Sequence, residues 1–204
     1  MQIPTPPLFV ISDRSQARRP LIEAAAAAFR GGCRWLSLRE KDLPAAERRA
    51  LLAELVALGR EWGATVMVHD DVEAAVATGA GGVHLPGGGD PGAARLLLPG
   101  KLIGASAHST TEAASLIAAG ADYVTISPVF LTDSKPGYGP AIGFDGLAAA
   151  VAAAKGPVIA LAGITAANAT SCLQAGAAGI AVMGEVMRAA DPEATVRALV
   201  QALG

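Results

Sequence analysis

Ala77-Thr-Gly-Ala-Gly-Gly-Val83 joins the end of an alanine-rich segment to a short β-branched run. The same construction returns as Ala118-Ala-Gly-Ala-Asp-Tyr-Val124 and Gln174-Ala-Gly-Ala-Ala-Gly-Ile180. A glycine just past a helix takes the left-handed conformation that stops it. The apolar run that follows has the pattern of a strand buried on both faces. Looser versions stand at Arg30-Gly-Gly-Cys-Arg-Trp-Leu36 and Gly59-Arg-Glu-Trp-Gly-Ala-Thr65. Working outward from these junctions, eight strands are predicted, at 8–12, 35–38, 65–69, 82–85, 101–106, 123–129, 157–161 and 179–183.

Helical patterns separate the strands, as in Leu51, Leu52, Leu55 and Leu58 at three- and four-residue spacing. Pro44 suits a first helical turn, and Asp191-Pro192-Glu193 reads as cap, first position and acidic first turn. Eight strand–helix units over 204 residues allow roughly 25 residues each, enough for a single-domain (β/α)8 TIM barrel. An open doubly wound sheet is the competing architecture, but no G-x-G-x-x-G follows the first strand. We therefore read residues 1–204 as one barrel domain.

Hydrophobic residues make up 52% of the chain, charged residues 17% and aromatics 4%, which predicts a core of Ala, Val, Leu and Ile. A net charge of −2 supplies no basic field for nucleic acid or an anionic membrane. No basic segment followed by an apolar core opens the chain, and charges or glycines interrupt each apolar stretch, so neither a secretory signal nor a membrane span is expected. Cys33 and Cys172 are isolated and read as small buried residues. The reading is of a soluble, cytoplasmic protein acting on small molecules, with a homo-oligomer left open.

In a barrel of this kind, chemistry collects at the C-terminal ends of the strands. Polar residues stand there in nearly every unit, including Arg39-Glu40-Lys41-Asp42, His69-Asp70-Asp71 and Ser106-Ala-His108-Ser109. Arg39 and Lys41 alternate along an extended segment and so share a face. They suit an anionic ligand, and ion pairing with Glu40, Asp42 or Asp70 is their alternative use. Asp70 and Asp90, after adjacent strands, suit Mg²⁺ held weakly through one or two carboxylates, and starting the next helix is the alternative use of Asp90. His84 lies inside a strand and reads as core, whereas His69 and His108 stand at strand ends and suit ligand contact or proton transfer.

Gly163 and Gly184 follow the seventh and eighth strands, where barrels frequently bind phosphate through backbone N–H groups. The connection after the sixth strand exceeds the usual 2–6 residues of a strand-to-helix turn. It carries Thr132-Asp133-Ser134-Lys135, hydroxyls and a cation that suit a phosphate or diphosphate, followed by a Gly/Pro tail that would hinge a lid.

Along nearly its whole length the chain resembles the thiamine phosphate synthase family and its close relative, the thiazole tautomerase. The stretches that carry the resemblance are Leu38-Arg-Glu-Lys-Asp42, Gly82-Val-His-Leu85, Gly104-Ala-Ser-Ala-His-Ser109, Val129-Phe-Leu-Thr-Asp-Ser-Lys135 and Gly179-Ile-Ala-Val182. The resemblance implies the same barrel and a transferase of thiamine biosynthesis. That enzyme joins hydroxymethylpyrimidine diphosphate to thiazole phosphate with Mg²⁺ assistance and releases diphosphate. It sets the pyrimidine diphosphate near Arg39, Lys41, Ser106 and Lys135, and the thiazole phosphate near Thr132, Ser134, Gly163, Met183 and Gly184. Asp70 falls on a metal-binding position. On this reading Arg39, Lys41 and Lys135 are catalytic, with His108 as a proton-transfer candidate and His69 among the substrate contacts.

The chain departs from that pattern in places. His69-Asp70-Asp71 replaces the synthase's Asn-Asp-Arg, and the Gly-Gln-Glu-Asp whose last residue completes the metal site is shifted, leaving Gly89 there and Asp90 one residue late. The turn before Gly89 and the Ser106–Ser109 stretch are closer to the tautomerase, yet that enzyme's catalytic histidine before Val-Phe is Pro128 here. The alternatives are therefore a thiazole phosphate tautomerase and a non-catalytic binder of thiazole or thiamine phosphate.

Overall fold

Eight parallel strands close on themselves in chain order in this computed structural model, which describes all residues except 133, 135, 136 and 138. They are β1 (Leu8–Ile11), β2 (Trp35–Leu38), β3 (Thr65–His69), β4 (Gly82–Leu85), β5 (Leu102–Ala107), β6 (Tyr123–Ile126), β7 (Val158–Leu161) and β8 (Gly179–Val182). The ring shuts where Phe9 of β1 comes into register with Ala181 of β8. Around it run α1 (Leu21–Arg30), α2 (Ala45–Glu61), α3 (Val72–Thr78), α4 (Pro91–Leu97), α5 (Thr110–Ala118), α6 (Gly143–Ala154), α7 (Ala166–Gln174), α8 (Gly184–Met187) and α9 (Pro192–Leu203). This is a TIM barrel, as the repeating junctions predict.

The junction glycines behave as expected. Gly79, Gly120 and Gly176 have φ of 67°, 99° and 95°, and each ends a helix before the next strand. Asp191 caps α9 through a hydrogen bond from the Ala194 N–H, with Pro192 and Glu193 in the first turn. The sequence reading runs β6 three residues too far. Pro128 has no N–H to give the ladder, so regular pairing ends at Ile126. No helix among the described residues is long and apolar enough to cross a membrane.

Strand alternation divides the core into two layers. Leu8, Val10, Leu36, Leu38, Val66 and Val68 pack outward beneath the helices. Phe9, Ile11, Trp35, Met67, Leu102, Tyr123, Ile159 and Ala181 fill the barrel interior. The expectation of an aliphatic core holds only for the outer layer. Inside, the Phe9 and Trp35 rings stack at 4.3 Å, and Tyr123 meets Trp35 edge-on at 4.7 Å. A few aromatics thus form the plug of the barrel, because large flat rings fill a closed cylinder with few residues. Gly104 makes room for one of them, since a Cβ there would fall within the Tyr123 ring.

The plug satisfies its own polar atoms. Trp35 Nε1 donates to Met67 Sδ at 3.0 Å, and Tyr123 Oη lies 3.6 Å from the same sulfur and 3.0 Å from His84 Nδ1. His84 Nε2 sits 3.0 Å from Ser106 Oγ. His84 is therefore the core residue that the sequence suggests. Cys33 and Cys172 are buried free thiols, and burial pushes them up to about 12 and about 11.

Candidate active site

Above the plug, a cavity of about 440 Å³ opens among the C-terminal ends of the strands. Arg39, Lys41, His69, Ser106, His108, Thr132, Ser134, Gly163, Met183 and Gly184 all line it, so ten positions singled out in the sequence converge on one space. Lys135 lies outside the described residues. A smaller cavity of about 210 Å³ adjoins on the β2–β3 side, bounded by Arg39, Glu40, Lys41, Arg48, His69 and Asp70.

The β2 wall is held by a buried carboxylate. Glu40 is 2% exposed. It accepts the Ser12 hydroxyl at 2.6 Å and the Arg14 backbone N–H at 3.1 and 3.2 Å. Ser12 Oγ in turn accepts the Arg39 N–H at 2.8 Å. Asp42 pairs with Arg14 at 2.5 Å. The acids flanking Arg39 and Lys41 are thus spent on Arg14, and the Arg39 guanidinium makes no ion pair among the described residues. Arg48, which sequence reasoning missed, is tied to Asp71 at 2.7 Å, and Asp71 also caps α3.

His69 forms part of the cavity floor, its ring 5.9 Å from that of His84. Burial, then Lys41 and Arg39, lower its pKa to about 3, and burial, then His69 and Arg39, do the same to His84. Both imidazoles are therefore neutral near pH 7. His69 Nε2 and the Ser37 hydroxyl are buried without a hydrogen-bond partner among the described residues. His108 stands on the β5 side, its Nδ1 3.1 Å from the Ser127 carbonyl oxygen.

Across the cavity the wall is built from turns. Ala162 and Gly163 follow β7 with φ of 82° and 64°. At Gly163 a Cβ would lie 2.5 Å from the Leu131 oxygen, so only glycine fits. Asn168 Nδ2 donates to the Gly163 carbonyl at 2.9 Å and fixes the turn. Thr132 Oγ1 accepts the Ser134 N–H at 3.2 Å. Gly184 opens α8, and its missing side chain leaves space that Arg188 Nη1 and Ser134 Oγ occupy. Arg188 went unrecognised in the sequence. Its spacing four residues after Gly184 was the signal, because such positions share a helix face.

The metal candidates separate. Asp70 is exposed at the smaller cavity, with φ of 53°. Asp90 lines neither cavity. Its carboxylate accepts the Ala93 N–H at 3.0 Å and caps α4. No group of three or more His, Cys, Asp or Glu among the described residues could hold a metal. Asp70 supplies one carboxylate beside Arg39 and Lys41, so a Mg²⁺ held there would need its remaining oxygens from a bound molecule and water.

A model of the thiamine monophosphate synthase family matches residues 8–186. The chain belongs to that family. A putative thiamine-phosphate synthase of Geobacter sulfurreducens is 43% identical over 199 residues, covering 96% of this chain and 93% of the relative. The thiamine-phosphate synthase of a Roseiflexus species is 40% identical over 195 residues, covering 94% and 83%. The solved thiamine phosphate pyrophosphorylase of Pyrococcus furiosus superposes with a TM-score of 0.86 at 36% identity, covering 96% of this chain and 94% of the other. In this thiamine monophosphate synthase family member, the cavity has two differently made walls. Side chains form one and backbone turns the other.

Proposed function

We propose that this chain joins hydroxymethylpyrimidine diphosphate to thiazole phosphate, giving thiamine phosphate and diphosphate. The observation that carries the reading is the pairing of those two walls in a single cavity of a thiamine monophosphate synthase family member. Arg39 and Lys41 face one anion, and the Gly163 and Gly184 turns with Thr132 and Ser134 face a second. A reaction between two phosphorylated substrates requires such a division.

In the reaction the bond between the pyrimidine methylene and the diphosphate oxygen breaks, and its electron pair leaves with the diphosphate. The thiazole nitrogen supplies the pair for the new carbon–nitrogen bond. Arg39 and Lys41 stabilise the departing negative charge, as fixed cations in a partly dehydrated site do. Lys135 joins them on this reading. Asp70 would hold Mg²⁺ together with substrate oxygens, and the ion would supply further charge neutralisation when bound. His69 and Ser106 present uncharged polar groups to the pyrimidine. Neither substrate must lose a proton in this scheme, so His108 acts by contact.

Turnover of both substrates with Mg²⁺, followed by product detection, tests the proposal. Asp70→Asn is expected to abolish Mg²⁺-dependent coupling. Asp90→Asn should leave it unchanged, because asparagine caps a helix as well as aspartate. Isomerisation of the thiazole phosphate alone, without coupling, would replace this reading with the tautomerase. Binding without either reaction would leave a non-catalytic binder.

A further inference from the structure

Arg188 follows α8 and reaches back over Gly184 into the cavity wall. It is half-buried, yet it meets no carboxylate among the described residues. Arg14, Arg30, Arg48, Arg95 and Arg197, in contrast, all pair with acids. Glu185 lines the same wall without pairing with it. The partners of Arg188 are neutral oxygens. Its Nη1 donates to Ser134 Oγ at 2.9 Å and to Gln16 Oε1. Gln16 Nε2 donates to Asp13 Oδ2 at 2.5 Å, which fixes the amide with its oxygen toward the guanidinium. A half-buried guanidinium held by neutral acceptors has no carboxylate to offset its charge, and a planar fork of donors suits phosphate.

Gly184 completes the arrangement. A Cβ at this position would collide with both Arg188 Nη1 and Ser134 Oγ. Its φ is not in the left-handed region, so a side chain there would meet the guanidinium and the Ser134 hydroxyl and no backbone barrier. A side chain at 184 and the guanidinium in its present position are therefore mutually exclusive, and the flexible arginine is the group that would shift.

We infer that Arg188 is a specificity residue that reads the phosphate of the thiazole substrate from the place a side chain at position 184 would otherwise fill. The inference rests on the proposed substrate pair, which it deepens. It makes the site discriminate the thiazole phosphate from the corresponding alcohol by charge, and it assigns Gln16 and Asp13 the task of positioning the guanidinium.

Calorimetric titration with thiazole phosphate and with the dephosphorylated thiazole alcohol provides the test. Arg188→Gln should weaken the phosphate ligand by roughly 10- to 100-fold, the range for a lost charged hydrogen bond, and change alcohol binding less than about twofold. Gly184→Ala should reproduce that loss by displacing the guanidinium. In the Arg188→Gln background the same change should add far less than it does alone, the non-additivity of groups competing for one space. Equal losses for both ligands, no loss in Arg188→Gln, or full additivity of the two changes would overturn the inference. Phosphate discrimination by a protein that fails to couple the two substrates would sink the proposed reaction and leave the role of Arg188 standing.

Discussion

Inside the barrel, Trp35, Met67, Tyr123, His84 and Ser106 pass hydrogen bonds to one another with the rings packed around them. At the mouth, His69 Nε2 is buried without a partner among the described residues, and Arg39 and Arg188 meet no acid there. Polar groups so close together are treated differently because they serve different ends. Satisfied groups and packed rings hold a fold together. Unsatisfied groups and unpaired cations cost stability in the empty protein and recover it when a ligand completes them.

The contrast is most sharply exposed at Arg39. Arg39→Ala should lower coupling by about 10²- to 10³-fold, the range for one lost charge-stabilising donor. Titration should show diphosphate binding weakened much more than thiazole phosphate binding. Unfolding in urea should move little, since only the Arg39 backbone is tied to Ser12. Equal loss of both ligands would mean that Arg39 only holds the mouth together.

The reverse behaviour is expected one layer down. Gly104→Ala drives a methyl group into the Tyr123 ring and should destabilise the protein by about 1–3 kcal/mol, the usual range for overpacking. Denaturant midpoints measure the loss. Activity of the molecules that remain folded should stay close to wild type. A selective loss of activity without a stability change would make the plug part of the working site.

The two histidines at the boundary give the smallest effect, a dependence of stability on pH. Unfolded imidazoles take up protons near 6.5, whereas burial holds His69 and His84 down to about 3. The folded state thus binds fewer protons throughout that window. The stabilisation is complete above about 6.5 and is lost as the pH falls toward 3. Between roughly pH 7.5 and 6 the loss should be about 1 kcal/mol per histidine at most. Urea midpoints across that interval should show it, and His84→Gln should flatten the slope.

Much of this molecule was legible along the chain. The Gly-Ala junctions at Gly79, Gly120 and Gly176 mark where each helix must stop, and the short apolar runs after them mark strands covered on both faces. These are local consequences of backbone sterics and burial, so one segment at a time suffices to read them. The same logic placed Arg39, Lys41, His69, Ser106 and the glycines that follow β7 and β8 at one end of the barrel. Closure of the ring decided the rest. Asp70 reached a cavity while Asp90 turned to cap α4, because a one-residue offset meets a helix start instead of the mouth. Glu40 turned inward to bind Ser12 and Arg14, which left Arg39 to the ligand space. Arg188, Ser134 and Gln16 come from three distant parts of the chain and meet only when β8 pairs with β1. Sequence determines which residue types stand at each strand end. Which of them find a partner, and which are left for a ligand, depends on distances that only the closed barrel sets.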